Sequence, residues 1–113
     1  MIKAILGYDI DARLSEEEYD RWLRDIHIPD LKRIPGLKCI VLNTVQDVVR
    51  EGDRFYRIAE LHYDSWKDFE KASEWRRNNP VTPDRSPEGK TIFRFYVVCE
   101  SENIIIGNSL ETL

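Results

Sequence analysis

The chain has 113 residues, 42% hydrophobic and 34% charged, with a formal net charge of -4 at pH 7. That length fits one domain, 1–113, with a single core, and the acidic balance supplies no basic footprint for nucleic acid. The N-terminal apolar run from Ile2 to Tyr8 is too short for a signal peptide or a membrane span and meets acid at once, so no membrane partner and a cytoplasmic location are expected.

Ile2, Ala4, Leu6 and Tyr8 alternate with Lys3, Ile5 and Gly7, which predicts a first strand with one apolar face. Gly7 within it marks a close approach or a bulge. Ser15 with Glu18 three residues on is a capping box, and Glu16 and Glu17 suit the positive end of a helix dipole, so a helix begins there. Its apolar stripe runs Tyr19, Trp22, Leu23, Ile26, His27 or Asp30, and Ile34. Pro29 removes a backbone donor and crowds the preceding turn, so the helix must bend or pause beside His27.

His27 and Asp30 are three apart, which puts them on neighbouring points of one helical face. A carboxylate beside an imidazole favours the protonated form and fixes the tautomer, as acid/base work requires. A histidine near a helix end is also commonly a structural residue, and a helix-end carboxylate is commonly solvated.

Pro35-Gly36 is a turn signal, and Leu37 to Val49 then predicts a second, longer strand with both faces largely apolar. Glu51-Gly52-Asp53 supplies a hairpin loop to a third strand, Phe55 to Tyr63. Phe55, Arg57, Ala59, Leu61 and Tyr63 share one face of it, and Tyr56, Ile58, Glu60 and His62 the other. Ser65 is the expected N-cap of a second helix with Asp68 in the capping-box position and a thin stripe of Trp66, Phe69, Ala72 and Trp75.

Arg77 to Lys90 holds Pro80, Pro83, Pro87 and Gly89 and reads as a loop, a length that is usually functional or mobile. Thr91 to Glu100 is the last strand, with Phe93, Phe95, Val97 and Cys99 on one face and Ile92, Arg94, Tyr96 and Val98 on the other. In the tail, 101–113, Ile104-Ile105-Ile106 would supply a further edge strand or reach a neighbouring subunit. Cys39 and Cys99 lack metal-ligand spacing and are expected to be free, buried thiols, with no metal site.

The order strand, helix, strand, strand, helix, strand is the α+β ferredoxin-like split βαβ arrangement, with an antiparallel four-stranded sheet whose first and third strands are central. Cys39 and Cys99 then fall on opposite edges, out of disulfide reach. Two helices cover one face only, while the second and fourth strands are apolar on both. The sheet of an identical subunit is the simplest cover, giving a homodimer.

With the elements in this order, His27-Ile28-Pro29, then Ile34-Pro35-Gly36-Leu37, then Ala59-Glu60-Leu61-His62-Tyr63-Asp64-Ser65, resemble the EthD family of dimeric α+β barrel proteins. The resemblance runs from the first strand to Glu100. It implies a homodimer of two face-to-face sheets, a pocket in each subunit between helices and sheet, and no metal or organic cofactor. The family histidine maps onto His27 as the acid/base residue. Three positions depart: Asp30 stands where the pattern is commonly apolar, His62 where an aromatic is common, and Leu61 where a muconolactone-isomerase-like branch has cysteine, so that branch's chemistry does not carry over.

The expected site is therefore His27 with Asp30 as its orienter, and Tyr8, Trp22, Leu61, His62, Tyr63 and Tyr96 around a small-molecule substrate. The expected function is cofactor-independent proton transfer of isomerase, cyclase, dehydratase or decarboxylase type on a small cyclic, aromatic or polyketide-like substrate, for which a histidine titrating near neutrality in a dry pocket is suited. Two rivals stand beside it: a dimeric binding or accessory protein for a hydrophobic metabolite, and a cofactor-free monooxygenase.

Overall fold

The computed structural model describes residues 1–50 and 52–102. In chain order they form β1 (Ile2–Ile10), α1 (Glu16–Trp22), a π-helical turn (Leu23–His27), α2 (Ile28–Leu31), β2 (Leu37–Thr44), β3 (Arg57–Tyr63), α3 (Trp66–Asn78) and β4 (Thr91–Glu100). All pairings are antiparallel, in the order β2-β3-β1-β4, so β1 and β3 are central as the split βαβ pattern requires. The expected strand Ile104 to Ile106 lies outside the described residues. No helix among those described is long and apolar enough to cross a membrane.

The Ser15–Glu18 capping box forms in both directions and starts α1. The helix then passes Pro29 by changing its winding. The Ile28 N–H reaches back five residues to the Leu23 carbonyl, and Pro29 falls in the first turn of α2, where a missing N–H is no loss. Pro35-Gly36 turns the chain into β2, with Gly36 at a φ of 84° that a side chain would resist. Ser65 caps α3 by accepting from the Asp68 N–H.

β2 stops at Thr44 rather than Val49, and β3 starts at Arg57 rather than Phe55, so the hairpin loop is longer than its sequence suggests. Val49 projects into solvent, 92% exposed, and leaves nothing to hold the strand beyond Thr44. Tyr56, released from strand alternation, turns to the helix side and packs with Tyr19 at 6.4 Å.

Every helix lies on one face of the sheet. The core there divides in two: Ile2, Ala4, Leu31, Ile34, Leu61, Tyr63 and Ala72 form one cluster, and Tyr8, Tyr19, Trp22 and Leu23 the other. On the opposite face Ile92, Phe95 and Val97 are 46%, 36% and 45% exposed. Both cysteines are free, but neither is buried as expected: Cys39 is exposed and Cys99 half-buried, because both lie on that uncovered face, on the edge strands β2 and β4.

Candidate functional site

Where the two core clusters fail to meet, the helix side encloses a cavity of about 80 Å³. Leu6, Leu31, Ile40 and Leu61 wall it from the first cluster, and Tyr8, Tyr19, Leu23, Ile28, Leu42 and Ala59 from the second. Its chemistry comes from His27, Arg76, Thr91 and the phenols of Tyr8, Tyr19 and Tyr96. Phe93 and Tyr96, each 51% exposed, stand at its mouth on edge strand β4.

His27 is the last residue of the π-helical turn, and the widened winding sets its ring flat against the Trp22 indole, with centroids 4.7 Å apart and planes 16° from parallel. Burial lowers its pKa to about 4, with the Arg76 cation adding to the effect and Asp30 opposing it. The imidazole is therefore neutral at pH 7, in the form that accepts a proton. Asp30 does not orient it. Both Asp30 oxygens accept from Arg85, at 2.7 and 3.0 Å, and this holds the Asp30 pKa below the usual carboxylate range.

The same arginine ties down the proline-rich connection that precedes β4. The Trp22 indole N–H donates to the Arg85 carbonyl at 3.2 Å, the Lys90 ammonium lies 5.3 Å over the Trp22 ring, and Pro87 closes one side of the cavity. Trp22 is thus the support of the site: one face carries the histidine, and its N–H holds the covering loop.

Deeper in, the Tyr19 and Thr91 hydroxyls are hydrogen-bonded to each other at 2.8 Å. The Tyr8 hydroxyl is buried and has no hydrogen-bond partner among the described residues. Burial raises its pKa, partly offset by the neighbouring Arg57 guanidinium and Tyr19 hydroxyl, so the phenol keeps its proton. Arg57 is itself buried, paired with Asp20 at 3.1 Å and donating to the Tyr56 hydroxyl at 2.8 Å.

Of the residues the sequence singled out, His27, Tyr8, Leu61 and Tyr96 line the cavity, and Trp22 touches it through His27. Asp30 lines an adjoining opening shared with His27. Tyr63 is buried under Phe69 of α3, ring centroids 5.4 Å apart, and does not line the cavity. His62 points to the uncovered face, where its Nε2 lies 3.0 Å from Glu60, which also accepts from Asn43 at 2.9 Å.

The sequence missed Tyr19, Arg76, Thr91 and Phe93. Phe93 escaped because the β1–β4 register shifts between Gly7 and Tyr8, pairing Gly7 with Phe95 and Tyr8 with Phe93. The extra residue, Arg94, ion-pairs with Asp9, and Phe93 joins Tyr96 on the helix side instead of standing opposite it. Gly7, flagged as a bulge marker, was the available signal.

Fold and site together define a ferredoxin-like α+β domain with a histidine-bearing, aromatic-walled cavity between its helices and its sheet. Solved structures sharing the fold include an ethyl tert-butyl ether D (EthD) family protein from Bacillus halodurans, with a TM-score of 0.66, 18% identity, and coverage of 90% of this chain and 99% of that one. HapK from Hahella chejuensis is also similar, with a TM-score of 0.59, 6% identity, and coverage of 92% and 95%. At these identities the likeness is one of fold, and at that level the EthD resemblance holds. No family model and no curated protein matches the sequence.

Proposed function

We propose that the chain is an EthD-type, cofactor-independent enzyme that moves a proton on a small cyclic, aromatic or polyketide-like substrate. The observation that carries this is a half-buried histidine and a buried phenol without a well-formed hydrogen bond on the walls of one cavity, the histidine's pKa lowered to about 4 and the phenol's raised. His27 takes a proton from a position next to a carbonyl, and the Tyr8 hydroxyl donates to the oxygen on which negative charge then develops. An imidazole held at about 4 is in its working form at neutral pH but is a weak base until negative charge enters the cavity.

The working unit in this reading is a homodimer, since a contiguous apolar sheet face left bare on one subunit is matched by the same face on a second copy. A monomer by light scattering at micromolar concentration would sink that part of the reading.

The binding-protein alternative has its own support. A histidine that serves as base is normally held by a third group, and here the nearest carboxylate is occupied by Arg85. Turnover of a panel of lactones and phenolic polyketide-like acids separates the two. Replacing His27 by alanine is expected to cut turnover by about a hundredfold or more while the dimer stays folded. Binding without chemistry in either form would establish the carrier instead.

A further inference from the structure

α3 presents Phe69 and Ala72 to the core, and one turn beyond Ala72 the same face presents Arg76. A guanidinium there has no packing role to fill. It lines the cavity with His27, and His27, Leu31, Arg76 and Pro87 also border the adjoining opening, so the cation stands at the partition between the two.

The other arginines next to the site are neutralised, Arg57 by Asp20 at 3.1 Å and Arg85 by Asp30 at 2.7 Å. Among the described residues no carboxylate is within ion-pair distance of Arg76. This is an uncompensated positive charge beside an apolar cavity, in a chain whose net charge is -4. Arg76 is solvent-exposed on α3, so this cation is open both to solvent and to an anion entering the cavity. On the same cavity Tyr8 is buried and its hydroxyl, beside Arg57 and Tyr19, makes no well-formed hydrogen bond among the described residues, which leaves its proton for a neutral oxygen.

From these two unpartnered groups we infer that the cavity takes a small organic carboxylate, that Arg76 pairs with its carboxylate, and that Tyr8 donates to a second oxygen on its body. The inference rests on the reading of the cavity as a small-molecule site. A guanidinium binds a carboxylate through two parallel N–H donors, which selects for acids over their neutral isosteres.

A consequence follows for His27. Its pKa is lowered partly by Arg76. A carboxylate seated on Arg76 cancels that repulsion and adds an attraction, so the arriving acid strengthens the base that acts on it.

The test uses two sizes of acid, crotonate and benzoate, each against its neutral amide, with binding read by calorimetry and His27 protonation by NMR. Wild-type protein is expected to bind at least one acid about tenfold or more tighter than its amide, and the bound acid to raise the His27 pKa. Arg76→Gln, on an exposed helix position and checked for folding by circular dichroism, is expected to erase both effects, while Arg76→Lys keeps part of them. His27→Gln is expected to lose proton transfer while still preferring the acid to its amide, so loss of proton transfer and loss of acid recognition fail separately. Equal binding of acid and amide, undiminished acid binding by Arg76→Gln, or no binding of any of the four would each overturn the inference.

Discussion

Replacing His27 with glutamine should change how the fold responds to acid, and in a direction opposite to most core polar substitutions. In the unfolded chain the imidazole titrates near 6.5, and in the folded one near 4. Between these values the unfolded state binds a proton that the native state refuses, so stability falls as pH drops through 6.5 and the loss is complete below about 4. At 1.36 kcal/mol per pKa unit the full loss is roughly 3 kcal/mol, and roughly 2 to 3 kcal/mol of it is already spent at pH 4.5.

Against a typical total of about 5 to 15 kcal/mol, a change of that size is measurable. Urea unfolding at pH 7.5 and at 4.5, at fixed protein concentration, gives the wild-type loss directly. At pH 4.5 Asp30, held low by Arg85, still contributes most of its stability, while the losses that begin near 4.5 for Glu60 and Glu18 are common to wild type and variant and cancel in the comparison. His27→Gln should flatten the dependence, leaving the variant at a relative advantage at pH 4.5. An NMR titration placing His27 at 6 or above, or equal acid losses in both proteins, would refute the argument and with it the claim of a dry, positively biased cavity.

Three other substitutions probe the frame. Gly7→Ala would put a methyl group 2.1 Å from the Phe95 ring, so thermal unfolding should show a loss of about 1 to 3 kcal/mol, relieved in Gly7→Ala/Phe95→Leu; an unchanged midpoint would mean the ring does not lie over Gly7. Tyr19→Phe removes the hydroxyl that pairs with Thr91 and should cost about 1 kcal/mol, against nearly nothing if water replaces the phenol without loss. Asp30→Asn should release Arg85 and loosen the covering loop, read as faster amide exchange over 79–90 and altered Trp22 fluorescence, with unchanged exchange counting against a strap at this position.

Regular features of the fold were legible because each rests on a local rule. Period-two alternation put Ala4, Leu61 and Tyr63 on the core face, and Ser15 and Ser65 fixed two helix starts. What escaped depends on contacts distant in sequence or on breaks in periodicity. Asp30 looked like a partner for His27 because both are on one helix, but its carboxylate is taken by an arginine 55 residues away. Phe93 was assigned to the wrong face because strict alternation was carried across a bulge. Arg76 directly follows Trp75 at the end of a thin apolar stripe and is solvent-exposed as its position suggests; that it also borders the cavity depends on the sheet opposite.

The irregularities converge on one place. The π-helical turn ends at His27, the register shift next to Tyr8 brings Phe93 beside Tyr96, and the core divides where these elements face each other. In a sequence whose caps, turns and alternation otherwise agree with its fold, departures gathered on one cavity are the pattern of a site rather than of poor packing. The size of the cavity sets a condition on any ligand. At about 80 Å³ it is smaller than the roughly 150 Å³ apolar void that admits benzene. A ring-sized ligand therefore extends past the half-exposed Phe93 and Tyr96 at the mouth, or lifts Pro87, and Pro87 moves only with the loop that Asp30 and Trp22 hold through Arg85. Asp30 is then tied to His27 through the door over the histidine rather than through a hydrogen bond to its ring.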